Sequence, residues 1–311
     1  MTVETQEQPK TEMPEVCDYE GSGYRTDFWE GKGRDYEDAV ERVALRRLLP
    51  ARGERYIEFG AGFGRLIDMA ANYNQVVVFD YSRTLLQQAR ERLGTSERYL
   101  YVAADLNRLP FAPNSFDVAT MIRVMHHMPN PPHVLKEIHD TLAPQARFIL
   151  EFANKLNLKA ILRYIAGQQD WNPFSRAPVE FVKLNFDFHP EQMRQWLDEA
   201  GFTPEQTLAV SWLRAGFLKR RLSLDLMRRI DSALQYLGPV LPLAPSVFVK
   251  NRRHDEQAPQ AVVPVSRLFV NPERKSSILV REGDTMRCPE TGARWAIHDG
   301  IYDFKEPISA G

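Results

Sequence analysis

Three short runs carry the residue types best suited to chemistry. Glu58-Phe59-Gly60-Ala61-Gly62-Phe63-Gly64 follows an apolar run and precedes an amphipathic stretch that starts near Arg65. Glycines at such a strand-to-helix turn admit backbone angles closed to other residues and let a ligand approach the main chain. The N-terminus of a following helix would add free N–H groups. Asp80 ends the apolar run Gln75 to Phe79, where a carboxylate can accept hydrogen bonds from both hydroxyls of a ribose. Asp105 ends the next run, Arg98 to Ala104. Any one of these acids is more simply a cap for the helix behind it. Together, at three successive strand ends around a glycine turn, Glu58, Asp80 and Asp105 suit a positively charged nucleoside.

The spacing argues against two common alternatives. The glycines read G-x-G-x-G, and Arg65 stands where a dinucleotide loop places its third glycine or alanine. A phosphate-cradling loop would end in Gly-Lys-Ser/Thr, yet no lysine occurs between Arg55 and Arg83.

The elements that must position these residues are legible as alternating apolar runs and amphipathic stretches between Arg55 and Phe152, which predict an α/β fold with a parallel sheet buried between helices. Ser82 stands at the N-cap of the helix carrying Leu85 and Leu86, and Gly94 at its C-terminal end. Further on, His189-Pro190 opens a helix with Met193, Trp196 and Leu197 inward, ending at Gly201. Strands are expected over Thr207–Trp212 and Ser246–Lys250. The chain has 311 residues, 43% of them hydrophobic, with a net charge of −1, which suits a globular body and gives no strong nucleic-acid signal. Cys17 and Cys288 are the only cysteines, too few for a disulfide framework, and a cytoplasmic, reducing compartment is expected. The opening 1–17 reads as a disordered polar leader without a secretory signal, 18–250 as the main domain, 251–266 as a linker and 267–311 as a small β-rich lobe that docks on the main domain. No stretch reaches the roughly 20 apolar residues of a membrane-spanning helix.

The runs EFGAGFG, VVVFDYS, AADLNRLPF and FDVATMIRVMHHM resemble the successive motifs of the class I S-adenosylmethionine-dependent methyltransferases, especially the small-molecule group similar to ubiquinone and menaquinone biosynthesis methyltransferases. The match runs from about Tyr36 to Lys250. It implies a Rossmann-like, seven-stranded, mostly parallel sheet whose last strand is antiparallel, and S-adenosyl-L-methionine as cofactor. By this resemblance Gly60, Gly62 and Gly64, with Ala61 among them, line the methionine part and ribose. Glu58 helps orient the methionine amino group, Asp80 followed by Tyr81 holds the ribose hydroxyls, Asp105 and Leu106 face adenine, and Arg123 brings its main chain to the cofactor. The acceptor is a small or lipid-like molecule. His126 and His127 follow the fourth strand, and His127 is the candidate general base if the acceptor is a hydroxyl; capping the loop is the plainer role for both. Tyr24, Phe28, Trp29 and Tyr36 form either a lid or a hydrophobic clamp. Trp171, Phe174, Phe186, Phe188 and His189 shape either an acceptor pocket or core.

The ending MRCPETGARWAIHDGIYDF resembles short zinc-ribbon-like activator subunits of some RNA and protein methyltransferases. Cys288 and His298 fall short of the four ligands of a structural zinc site, so a metal-free lobe is expected. A non-catalytic cofactor-binding or scaffold protein, and an RNA or protein methyltransferase recognising substrate through this lobe, are the competing readings. The sequence leaves the oligomeric state open.

Overall fold

A computed structural model describes residues 16–21, 23, 29, 33–255 and 260–308. Helix α1 (Asp35–Leu48) leads into β1 (Gly53–Phe59), β2 (Tyr73–Asp80), α2 (Arg83–Leu93), β3 (Tyr99–Ala103), β4 (Phe116–Met121), α3 (Pro131–Thr141) and β5 (Leu142–Ala153). After β5 come α4 (Leu158–Ile165), the hairpin β6 (Val179–Val182) and β7 (Asn185–Asp187), α5 (Pro190–Glu199), β8 (Phe202–Val210), α6 (Gly216–Arg221), α7 (Leu224–Leu234) and β9 (Ser246–Arg253). The central strands lie in the order β3-β2-β1-β4-β5-β9-β8, parallel through β5 and antiparallel at β9. The α/β, Rossmann-like architecture expected from the motifs is therefore present.

Alternation along each strand sends neighbouring side chains to opposite faces. Ile57, Phe59, Val77 and Phe79 pack beneath α3 and α5, against Leu135, Ile138, Met193 and Leu197. Tyr56, Val76 and Val78 face α1, α2 and α7, against Val40, Leu48, Leu86 and Met227. With both faces covered, the strand ends are the sheet's openings to a ligand, as open α/β sheets require. The predicted caps hold: Ser82 Oγ accepts from Leu85 N at 3.2 Å, and Gly94 and Gly201 take φ of +92° and +90°.

One element differs from expectation. No α-helix follows the glycine loop; the chain turns and forms a single 3-10 segment, Ile67–Ala70. Only Arg65 to Asn72 separate Gly64 from β2, and half of them form this segment.

The tail does more than dock. β10 (Val270–Asn271) and β11 (Arg274–Ile278) make a small ribbon, while β12 (Val280–Glu282), β13 (Thr285–Arg287), β14 (Arg294–His298) and β15 (Ile301–Asp303) extend the main sheet to eleven strands. β15 lies parallel to β3, pairing Ile301 with Tyr101 and Asp303 with Ala103. Leu268, Phe269, Trp295 and Phe304 join the core beneath β1 and β2. So short a segment buries too little by itself, and β3 otherwise presents an unpaired edge; joining the two solves both problems. Among the described residues no cluster of three or more His, Cys, Asp or Glu is arranged to hold a metal. Cys288 is buried, with Ser277 Oγ 3.1 Å from its sulfur.

Candidate functional site

The glycine loop leaves β1 with φ of +72°, +55° and +75° at Gly60, Gly62 and Gly64, a left-handed path that side chains resist. A Cβ on Gly60 would stand 2.1 Å from Val124 Cγ2, and one on Gly64 2.9 Å from Leu93 Cδ1. The loop's amides are largely committed. Ala61 N donates to Phe79 O at 2.8 Å, Gly64 N to Ala61 O at 2.9 Å and Gly62 N to Asp80 Oδ2 at 2.8 Å. With no helix N-terminus behind it, the loop offers a ligand close approach rather than an array of free donors.

Asp80, at the end of β2, is held by two backbone amides, one on each oxygen: Gly62 N and, at 2.9 Å, Ser82 N. Each carboxylate oxygen keeps a further lone pair for a ligand hydroxyl. Burial pushes the Asp80 carboxyl up to about 6 against the pull of these amides. Asp105 closes the turn after β3, accepting from both Asn107 N and Asn107 Nδ2 at 2.8 Å.

Glu58 is buried at the end of β1, and its Oε2 has no hydrogen-bond partner. Burial pushes its carboxyl up to about 8, although Arg65 nearby favours the charged form. A buried carboxylate oxygen without a donor costs stability. An ammonium or other cationic ligand group that reached Glu58 would offset that cost, but Glu58 does not itself line the cavity over the glycine loop; the site fits S-adenosylmethionine through Asp80, which does.

Arg123, just beyond β4, adopts φ of +60°. Its amide donates to Glu151 Oε2 at 2.8 Å and its Nε to Glu41 Oε1 at 2.7 Å. Ser246 Oγ holds the other oxygen of Glu151 at 2.5 Å. Burial alone would raise the Glu41 carboxyl, but Arg123 and Arg65 hold it below its ordinary value. Trp29 lies over the Arg65 guanidinium, 3.8 Å from it to the ring centre.

His127 ends the short turn after β4. Its Nδ1 lies 2.8 Å from the Leu184 carbonyl in the turn between β6 and β7, and a carbonyl only accepts, so the proton sits on Nδ1. Nε2 therefore carries the lone pair, with the Tyr19 hydroxyl 3.3 Å away. Burial depresses the His127 pKa below its ordinary value, keeping the ring neutral near pH 7.

Gly60, Gly62, Asp80, Tyr81, Asp105, Leu106, Arg123 and His127 line one cavity, a concave site of the kind that takes small molecules. Phe79, Leu85, Ala104 and Met128 supply apolar wall suited to a planar base. Glu58, Ala61 and Gly64 stand outside the lining, and Gly64 serves the packing of α2. The residues that sequence reasoning missed are Val16, Cys17 and Tyr19, which close the cavity from the N-terminal side. Their signal was slight: Val-Cys-Asp-Tyr is the first apolar and aromatic run after a polar opening.

The expected lid is only partly in view. Tyr24 and Phe28 lie outside the described residues. Tyr36 is a core residue whose hydroxyl donates to Asp231 Oδ2 at 2.6 Å, so it belongs to the clamp. Of the aromatic insertion, Phe188 is core, His189 caps α5 by accepting from Glu191 N at 3.2 Å, and Phe174 is exposed. Trp171, with Lys155 Nζ 5.9 Å from its ring centre, and Phe186, stacked on Phe188, also lie outside the cavity wall.

A parallel sheet in this order, with its glycine turn and acidic strand ends around one cavity, defines a class I methyltransferase fold. Residues 57–150 match the methyltransferase domain family. The chain is 30% identical over 186 residues to a demethylmenaquinone methyltransferase of Clavibacter sepedonicus, covering 57% of this chain and 71% of that one. It is 26% identical over 226 residues to the 27-O-demethylrifamycin SV methyltransferase of Amycolatopsis mediterranei (strain S699), covering 70% and 79% of the two chains. The fold matches the crystal structure of an S-adenosylmethionine-dependent methyltransferase from Mesorhizobium loti with a TM-score of 0.51 at 22% identity, over 70% of this chain and 100% of that one. The chain belongs to the S-adenosylmethionine-dependent methyltransferases, and S-adenosylmethionine is its methyl donor. No helix among the described residues is long and apolar enough to cross a membrane.

Proposed function

We propose that the protein methylates a hydroxyl of a small, apolar, lipid-like acceptor in a reducing, cytoplasmic compartment, using the cavity at the carboxyl ends of β1 to β4. The observation that carries this reading is the neutral His127 ring, held by Leu184 and lining the cavity, whose Nε2 accepts from the Tyr19 hydroxyl and can accept from an acceptor hydroxyl in its place. The two relatives act on a demethylmenaquinone and a demethylated rifamycin, by their names, which supports a small-molecule acceptor, and the rifamycin name specifies an oxygen. Asp80 holds the ribose hydroxyls, Leu106 and Met128 pack against adenine, Asp105 fixes the turn beside it, and Glu58 attracts the amino group. S-adenosylmethionine supplies a methyl group on a sulfonium that leaves as a neutral thioether. With the acceptor hydroxyl in place of that of Tyr19, His127 Nε2 takes its proton, and the carbonyl of Leu184 stabilises the imidazolium so formed through Nδ1–H. Tyr19 and Val16 exclude water from that side.

The test is incubation of the purified protein with methyl-labelled S-adenosylmethionine and a panel of hydroxylated quinones and phenols. Label is expected in an organic-extractable ether with a phenolic or enolic acceptor. Transfer confined to amines or to carbon would overturn the hydroxyl assignment and remove the need for His127 as a base.

A further inference from the structure

Helix α4 carries Leu158, Ile161, Leu162 and Ile165 at helical spacing on one side, yet only Ala160 of the helix is buried. Leu162 is 58% and Ile165 73% exposed. A soluble helix normally turns such a stripe to the core. The stripe continues onto the loop before β9, where Leu243 O accepts from Leu158 N at 2.9 Å and Val240 is 79% exposed. On the neighbouring hairpin Phe181 and Val182 are exposed too, and its turn supplies the Leu184 carbonyl that holds His127. The hairpin thus ties exposed apolar side chains to a residue of the cavity wall.

We infer that this face, α4 with the hairpin and the loop before β9, seats on an anionic lipid surface, from which the acceptor enters past Leu184. The inference rests on the lipid-like acceptor proposed above. The occupant follows from charge as well as hydrophobicity. Lys159, Arg163 and Lys183 are exposed between the apolar side chains. Exposed apolar residues on separate protruding elements, interleaved with cations, match the plane of an acyl–headgroup boundary better than a protein groove. An α4 of eight residues lies in that plane and does not span it.

The experiment is flotation of the full chain with vesicles of phosphatidylcholine alone or mixed with phosphatidylglycerol, with S-adenosylhomocysteine affinity measured on the same samples. The mixed vesicles are expected to bind the protein, less well as salt rises. The double variant Leu162→Asp, Ile165→Asp is expected to bind them at least ~10-fold more weakly, and Lys159→Glu, Arg163→Glu to lose the preference for phosphatidylglycerol, all with unchanged S-adenosylhomocysteine affinity. Absent flotation of the wild type, or flotation indifferent to both variants, overturns the inference while leaving the methyltransferase reading standing. Flotation with these variant effects in a protein that does not bind S-adenosylhomocysteine keeps the lipid-binding face and sinks the functional reading instead. A wild-type dimer that the Leu162→Asp, Ile165→Asp variant makes monomeric, with no vesicle binding by either, would assign the face to a second copy of the chain and refute the proposal.

Discussion

Replacing Glu58 with glutamine should make the ligand-free protein more stable and worse at binding its cofactor. Burial raises the Glu58 carboxyl from 4.5 to about 8. Between those values the unfolded chain has released the proton that the folded chain keeps, so the folded state loses stability as pH rises through this window. The stability contributed by the neutral carboxyl is fully present below the unfolded pKa and gone above the folded one. The penalty is about 1 kcal/mol near pH 5 and at most about 4 kcal/mol near pH 7.5. Glutamine keeps the shape and carries no titratable proton, so urea denaturation of the ligand-free proteins should show Glu58→Gln gaining stability over wild type as pH rises, by up to ~3 kcal/mol across that range. If the amino group of the cofactor draws Glu58 into its charged form, binding S-adenosylhomocysteine near neutral pH should release a proton, visible as a buffer-dependent calorimetric heat that the variant lacks. Parallel stability profiles for the two proteins, or equal affinity and equal proton release, would refute this account of the orphaned Oε2.

Asp80→Ala removes the carboxylate from the ribose position, and the loss of charge-assisted bonds of about 1.5–3 kcal/mol predicts roughly 10- to 100-fold weaker S-adenosylhomocysteine binding by calorimetry. For His127→Ala, turnover on a hydroxyl acceptor should fall about 100-fold or more, and the pH profile should lose an acidic limb lying below the ordinary histidine value; an unchanged profile would make His127 a structural residue. Phe304→Ala, in the tail but within the shared core, should cost about 3–5 kcal/mol in urea denaturation, in the same transition that unfolds the main sheet rather than in a separate one.

Much of this arrangement was legible because it depends on local chemistry. The runs that became β1 to β5 are rich in Val, Ile and Phe, bounded by turns, and the caps at Ser82 and Gly94 need only their own neighbours. Asp80, Asp105 and His127 could be placed at one edge because they end successive runs. What stayed hidden depends on groups without a sequence signature or on distant partners. The Leu184 carbonyl fixes the His127 tautomer, and a backbone oxygen looks the same at every residue. Ile301 to Asp303 form too short a run to identify, and they become a strand because β3 has an edge to fill. The amphipathic stretch after Gly64 reads as a helix, and nothing in its own residues foretold that it would form only a 3-10 segment. Tyr36 was ambiguous because an aromatic residue beside a glycine-rich segment fits a lid and a core equally; Asp231, far along the chain, decides it.

The central claim is that the cavity over the glycine loop takes a sulfur nucleoside through Asp80. Its most direct test is calorimetric titration of wild-type and Asp80→Ala proteins with S-adenosylmethionine, S-adenosylhomocysteine and NADH. The account predicts one-to-one binding of both sulfur nucleosides by the wild type, weakening of both in Asp80→Ala, and no heat with NADH. Binding of NADH with neither sulfur nucleoside, or sulfur-nucleoside affinity indifferent to Asp80, would contradict it.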